Sequence, residues 1–318
     1  MMTTGNSRAS VSIIIPTLNG AATLPELLRM LTRQTRRWDE LLVVDSSSDD
    51  ATVSLARESG AEVTVIPREE FDHGGTRSRI SGRARGELLV FLTQDAIPAS
   101  DDALEQLLAP LESDATVVAA YGRQLPAPGA TVFAAHLRDF NYPPRSEVRG
   151  FEDRNRFGLK TVFVSNSFAA YRKGPLAEVG YFKNGLIFGE DTCTVGKLLQ
   201  KGGRIAYVAE ACVYHSHNYN LVQEFKRSFD IGVLHSSEKW LLQTYGRAEG
   251  HGMRYLLSEI KLLRRRGKLF LLPSCLLRNG LKYLGYRLGR HYAVIPALLV
   301  VRLSMHAGWW RGNGRLQS

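Results

Sequence analysis

The sequence predicts an α/β fold, a mostly parallel sheet sandwiched by helices and followed by a helical, basic C-terminal extension. Three observations carry this expectation. Short apolar runs alternate with amphipathic helical periods through the first part of the chain, the signature of βαβ units. Each apolar run stops at a polar step, as strands do when their carboxyl ends open on one crevice. The charge is divided as well: residues 221–318 hold 17 Lys and Arg against 5 Asp and Glu, net +12, while residues 1–220 are left with net −2.

The elements follow in order. "VSIIIPT", from Val11 to Thr17, reads as a buried strand, and "AATLPELLRMLTRQ" as a helix with its apolar face at Leu24, Leu27, Leu28 and Leu31. "ELLVVDSSSDD" is the next strand running into a polar loop, where Asp49 or Asp50 suits the capping of the helix "ATVSLARESG", closed by Gly60. "AEVTVI" is a third strand, "GTRSRISGRARG" a helix, and "ELLVFLTQDA" a fourth strand. The segment "LPAPGATVFAAHLRDFNYPPRSEVRG", with its prolines and arginines, reads as a long loop, and "TVFVSNSFAAYRK" returns to strand character. "FGEDTCTVGKLLQKGG" starts a helix at Glu190-Asp191 after Gly189.

At 318 residues and 44% hydrophobic content, the chain can build a large domain with an appended module, here residues 10–220 and 221–318. Cys193, Cys212 and Cys275 are odd in number and form no CxxC, so neither a zinc ribbon nor a disulfide framework is expected, and a reducing compartment fits. The start "MMTTGNSRAS" is polar, without a signal core, and no run of about eighteen apolar residues occurs, so neither secretion nor a spanning helix is expected. After Glu259 there is no acidic residue, while "KLLRRRGKLFLLPSCLLRNGLKYLGYRLGR" interleaves cations with Leu, Tyr and Phe. That pattern suits an anionic membrane surface; a basic subdomain packed on the main domain is the plainer alternative. Nucleic acid is not the expected partner, because the apolar bulk is excessive for phosphate contacts.

Four strand ends therefore meet at one crevice, carrying Pro16-Thr17-Leu18-Asn19, Asp45 to Ser48, the Pro67 to Phe71 entry to "FDHGGTR", and Thr93-Gln94-Asp95. Taken alone, Asp95 is best read as a turn or capping carboxylate, and Glu190-Asp191 reads equally as dipole and capping groups at a helix start. Two glycines in "DHGGTRSR" permit close backbone approach and Arg77 offers a fixed cation for diphosphate or nucleotide, but this is no GxGxxG, which disfavours a dinucleotide enzyme. Asp72 and His73 are explained by loop packing as well as by contact with a bound substrate, Trp240 by helix packing in preference to stacking on a substrate, and Asn166 and Ser167 equally by strand pairing or by substrate contacts.

"VSIIIPTLNGAATLPELL", "LLVVDSSSDDAT", "ARGELLVFLTQDAIP", "VSNSFAAYRK" and "FGEDT", in this order, resemble the inverting GT-A-fold glycosyltransferases of family 2 over roughly residues 10–220. With "FDHGGTR", "YHSHNYN" and "EFKRSFDIGVLH" the chain is most similar to bacterial rhamnosyltransferases that use dTDP-L-rhamnose for cell-surface polysaccharides such as O-antigen. The resemblance implies Mg²⁺ or Mn²⁺ beside the donor diphosphate. Family members commonly carry Asp-x-Asp at this strand end; here Thr93 takes the first position and Asp95 alone remains. His215 and His217 lie where the family often has a metal-binding His; side chains alternate along an extended segment, so one of them, His215, is expected to reach the metal. By resemblance Asp191 is the general base, with Glu190 orienting the acceptor or neighbouring groups, and Pro16, Thr17, Asn19, Asp45, Arg77 and Gln94 meet the nucleotide. A single displacement would invert the anomeric carbon without a covalent enzyme intermediate.

The expected protein is thus a rhamnosyltransferase, peripheral at the cytoplasmic face of the cell membrane, acting on a polyprenyl-diphosphate-linked or polysaccharide acceptor and able to form homo-oligomers. The alternatives are the same fold with a UDP-hexose donor, or a catalytically degenerate relative that binds membrane or nucleic acid.

Overall fold

Nine strands make one sheet in the computed structural model, which describes residues 8–246 and 250–312. The polar leader, residues 1–7, on which the expectation of no signal core largely rests, lies outside the described residues. In chain order the strands are β1 (Val11–Thr17), β2 (Glu40–Asp45), β3 (Glu62–Val65), β4 (Leu88–Leu92), β5 (Ile97–Pro98), β6 (Val117–Leu125), β7 (Glu147–Arg149), β8 (Phe168–Arg172) and β9 (Arg204–Tyr214). The spatial order is β3-β2-β1-β4-β8-β6-β9-β5, with β7 also on β9. Strands β3, β2, β1 and β4 are parallel neighbours, as are β6 and β9; β8 runs against both β4 and β6. Pairing Thr17 with Asp45 ends β1 and β2 side by side, and pairing Leu125 with Tyr214 does the same for β6 and β9.

Alternation along the central strands sends their side chains to two cores. Ile13, Ile15, Val90 and Leu92 join the helices Leu24–Thr32 and Ala103–Ser113 on one face. Ile14 and Phe91 join the helices His73–Arg83, Glu190–Gln200 and Leu221–Ser237 on the other. Ile13, Ile14 and Ile15 are fully buried, and burying one such side chain contributes about 1.5–3 kcal/mol. Trp240 packs against Gly196 and Tyr245, as expected.

Packing does not stop at residue 220. Phe229, Val233, Leu234, Leu241, Tyr245, Val300 and Trp310 all belong to the second core. The helix Leu272–Arg290 lies directly on Leu221–Ser237: a Cβ at Gly289 would fall 1.9 Å from the Phe229 carbonyl oxygen, and one at Gly285 2.5 Å from that of Phe225. The helix His251–Arg265 adds a satellite cluster in which Leu263 and Cys275 meet Phe133.

The segment read as a long loop contains a helix, Val132–Asn141, whose start is capped by Thr131 accepting from the Ala134 N–H at 3.2 Å. The prolines that suggested a loop only bracket it, and Phe133, Ala134 and His136 form its buried face.

Candidate active site

The ends of β1 and β2 are locked together by side chains. Asp45 is fully buried and accepts from the Thr17 hydroxyl at 2.8 Å and from the Ser48 hydroxyl and N–H at 2.6 and 2.7 Å. The Asn19 N–H donates to Ser48 Oγ at 2.7 Å, and Asn19 Oδ1 accepts from the Asp49 N–H at 2.9 Å. Asn19 and Ser47 hold left-handed backbone, φ 48° and 56°, a costly conformation for residues other than glycine, sustained here by that network. Gln94 clasps Leu18, accepting from its N–H at 2.9 Å and donating to its carbonyl at 3.0 Å, which joins the ends of β1 and β4. Pro16, Thr17, Asn19, Asp45 and Gln94 are thus brought to one rim. Asp45 differs from its expected role: it is wholly buried and both oxygens accept hydrogen bonds from the protein, so in this structure it shapes the loop and is not presented to the crevice.

Asp95 stands just beyond β4, half-buried, with His215 Nε2 3.5 Å from one carboxylate oxygen and His217 Nε2 4.0 Å from the other. Both histidines therefore reach it. Alternation fails because β9 ends at Tyr214 and the chain beyond is no longer a strand. His215 Nδ1 lies 3.1 Å from Gln124 Oε1, which also accepts from Arg138 Nη1 at 2.5 Å. An oxygen already facing a guanidinium is an acceptor, so Nδ1 carries a hydrogen and Nε2 is the ring atom turned toward the carboxylate. The donor atoms of Asp95, His215 and His217 lie within 4.8 Å of one another, so the set fits a divalent metal, with Gln124 fixing the tautomer from behind. Burial would raise the Asp95 carboxyl, but contact with His215 outweighs it and holds the group well below the usual carboxylate range. Burial and the neighbouring His215 push His217 down to about 4, leaving it neutral and able to ligate.

The second centre begins at Gly189, where φ is +79° and a Cβ would lie 2.5 Å from Leu234, so the helix Glu190–Gln200 can enter here only from glycine. Glu190 is buried, 3.2 Å from Arg77 Nη1 and 3.2 Å from Asn166 Nδ2. Asn166 is the hub: its N–H donates to Asp191 Oδ2 at 3.2 Å and its Oδ1 accepts from the Tyr171 hydroxyl at 2.8 Å. Buried Asn166 therefore sets the carboxylate pair instead of meeting acceptor or sugar. Arg77 is corrected too: it is 5% exposed and committed to Glu190 and the His73 carbonyl, not offered to a nucleotide. Burial works to raise Glu190, but Arg77 and His73 prevail and keep it below its ordinary value. Half-buried Asp191 is pushed up to about 7 by burial and by the negative charge of Glu190.

The two centres are linked. Gln124 donates through Nε2 to Ser165 Oγ at 2.9 Å, and Ser165 precedes Asn166. Residues beyond 220 reach the second centre as well: His306 stacks on Phe188 and meets His73 edge-on at 5.6 Å, while Asp230 holds the adjoining segment by accepting from the Met305 N–H at 2.9 Å. Asp72 caps its own helix through the Gly75 N–H, the packing role expected of it. An open concavity of about 550 Å³ lined by Arg85, Glu87, Arg172 and Lys173 lies at the opposite ends of β1 and β4, remote from both centres.

Residues 12–180 match the family described as glycosyl transferase family 2. The chain is 40% identical to an O-antigen chain rhamnosyltransferase of Salmonella typhimurium, over 94% of this chain and 96% of the relative. It is 40% identical to that of Salmonella anatum over 95% and 96%. Among solved structures it resembles a mannosyltransferase from Pyrobaculum calidifontis in complex with GDP-Man and Mn²⁺, TM-score 0.56 at 18% identity, covering 98% of this chain and 87% of that one. It also resembles S. aureus TarS 1–349 in complex with UDP-GlcNAc, TM-score 0.53 at 16% identity, covering 89% and 91%. At such identities the structural likeness bears on the fold alone, which is the GT-A arrangement of sheet and helices.

Proposed function

The chain belongs to glycosyl transferase family 2, and from that premise we propose that it moves L-rhamnose from dTDP-L-rhamnose to a lipid-linked or polysaccharide acceptor of cell-surface glycan synthesis. The named activity of the two Salmonella relatives supports the sugar. The observation that carries the catalytic reading is Asp191, a half-buried carboxylate pushed up to about 7 and aimed by the Asn166 N–H. A base with that value is half ionised near neutrality, where proton transfer is most effective. Asp191 takes the proton of the acceptor hydroxyl as that oxygen bonds to the anomeric carbon. The carbon–oxygen bond to the diphosphate breaks on the opposite side and its electron pair leaves with the diphosphate. Configuration inverts, and no enzyme group becomes bonded to the sugar. Glu190 stays ionised against Arg77 and keeps Asp191 basic.

Asp95, His215 and His217 would hold a divalent cation, and two imidazoles favour Mn²⁺ over the harder Mg²⁺. The chemistry it supplies when bound is neutralisation of the charge on the departing diphosphate. Calorimetry tests the donor and this site together. Wild type is expected to bind dTDP-rhamnose in preference to UDP-glucose, in a metal-dependent manner, and Asp95→Ala to lose about tenfold or more of that affinity. Preference for UDP-glucose would point to a hexose donor, and binding of neither to a non-catalytic relative.

The same reading sets the protein at the cytoplasmic face of a membrane. No described helix is long and apolar enough to cross one. The turn from Arg264 to Phe270 carries three arginines and a lysine beside exposed Leu269 and Phe270, the latter 76% exposed. Exposed Leu276, Leu277, Tyr283 and Leu284 continue along one face of Leu272–Arg290 at helical spacing. Cations beside a dipped apolar face are the chemistry of an anionic lipid surface. The double substitution Leu269→Glu, Phe270→Glu should reduce sedimentation with phosphatidylglycerol vesicles about tenfold or more, since each change removes an apolar anchor and adds a repelled charge. Unchanged sedimentation would rule this face out.

A further inference from the structure

A cation not used in the steps above closes the C-terminal side of the metal-ligand cluster. Tyr219 stacks on His217 with ring centroids 5.3 Å apart and planes 29° from parallel, and the Arg227 guanidinium carbon lies 5.8 Å from the Tyr219 centroid. His217 in turn meets His215 edge-on at 4.8 Å and Asp95 at 4.0 Å. A continuous stack thus runs from the Asp95 carboxylate out to Arg227.

Arg227 rides on the helix Leu221–Ser237, whose other side, Phe229, Val233 and Leu234, is fixed in the core. Its backbone is anchored while its side chain is exposed. Among the described residues no carboxylate pairs with it. Asp230, one turn on, is buried and turned to the Met305 N–H. Neighbouring cations are already committed: Arg278 pairs with Glu224 at 2.9 Å, Arg77 with Glu190 at 3.2 Å, and Arg138 donates to Gln124. An unpaired guanidinium, steadied by an aromatic ring beside a metal-ligand set, lacks only an anion. Its planar fork matches phosphate oxygens, and the anion this crevice receives on the reading above is a nucleoside diphosphate.

We propose that Arg227, held on Tyr219, binds the diphosphate of the nucleotide sugar, so that the helical C-terminal region completes the donor site. The inference rests on the transferase reading and adds to it a donor contact from beyond residue 220. It also accounts for a metal site with one carboxylate in place of two: a protein cation shares the neutralisation of the diphosphate.

The test is calorimetric titration of dTDP and of UDP into the full chain with Mn²⁺, for wild type, Arg227→Gln and Arg227→Lys, with the unliganded Tm of each. The loss of one charge-assisted phosphate contact should weaken nucleoside diphosphate binding about tenfold or more in Arg227→Gln, with Tm unchanged, and Arg227→Lys should recover part of it. Binding by Arg227→Gln within about twofold of wild type overturns the inference. So does a loss accompanied by a lowered Tm and equal in both variants, which marks a structural role. A wild type that binds UDP but not dTDP sinks the thymidine donor, and Arg227 is then judged by the same loss on UDP. A wild type that binds neither overturns the transferase reading and this inference with it.

Discussion

Asp95 stands beyond the end of β4 between two imidazoles; Asp191 stands in the first turn of Glu190–Gln200 beside a second carboxylate. Both are partly buried, and burial raises both carboxyls. At Asp95 contact with His215 reverses the effect, whereas at Asp191 the charge of Glu190 adds to it. The sign of the neighbour, and not the depth of burial, decides which aspartate stays an anion for a cation and which can trade a proton near neutrality. The two histidines and the Arg77–Glu190 pair are what make two similar residues do different work.

The largest expected effect comes from removing the proton acceptor. Asp191→Asn keeps the shape and one acceptor oxygen for the Asn166 N–H but cannot take a proton, so kcat should fall by about 10²–10⁴ with donor binding unchanged. A variant that loses donor binding along with kcat would assign Asp191 to the other centre and break the comparison. Next in size is Gln124→Leu. It frees His215 to rotate or change tautomer, and metal affinity, read by Mn²⁺ titration, should weaken about 10–100-fold; Arg138 and Ser165 lose a buried partner as well, so a lowered metal-free Tm is expected beside it. Unaltered Mn²⁺ affinity would mean that Gln124 does not orient the histidine.

Much of this contrast was legible in the sequence because it is local. β1 has the boundaries expected from "VSIIIPT", and the places of Asp95 beyond a strand end and of Glu190-Asp191 at a helix start were legible because strand ends and helix starts are written in adjacent residues; the roles proposed for them, and for His215, came from the family resemblance. What escaped depends on contacts between residues far apart in the chain. Gln124 reaches His215 through the parallel pairing of β6 with β9, and no periodicity reports that partnership. Arg77 looked like a free cation because its partner, Glu190, arrives from the far side of the sheet connection. The rule that neighbouring histidines face opposite ways holds in a strand and lapses where β9 ends. The helix bearing Arg138 was hidden by the prolines that flank it. The role of Asn166 as hub required seeing three partners at once.

The smallest effect is also the sharpest, because it isolates the neighbour's sign. The measurement is kcat/KM against pH for wild type and Glu190→Gln at saturating metal, with the fold of the variant checked by circular dichroism. Asp191 must be ionised to act, so wild-type activity should rise with pH through about 7. Removing the negative charge of Glu190 removes a raising influence, and the rise should move to lower pH. A wild-type profile already flat below pH 6, or a rise that stays in place or moves up in Glu190→Gln, would contradict the assignment of Asp191 as a base tuned by its neighbour.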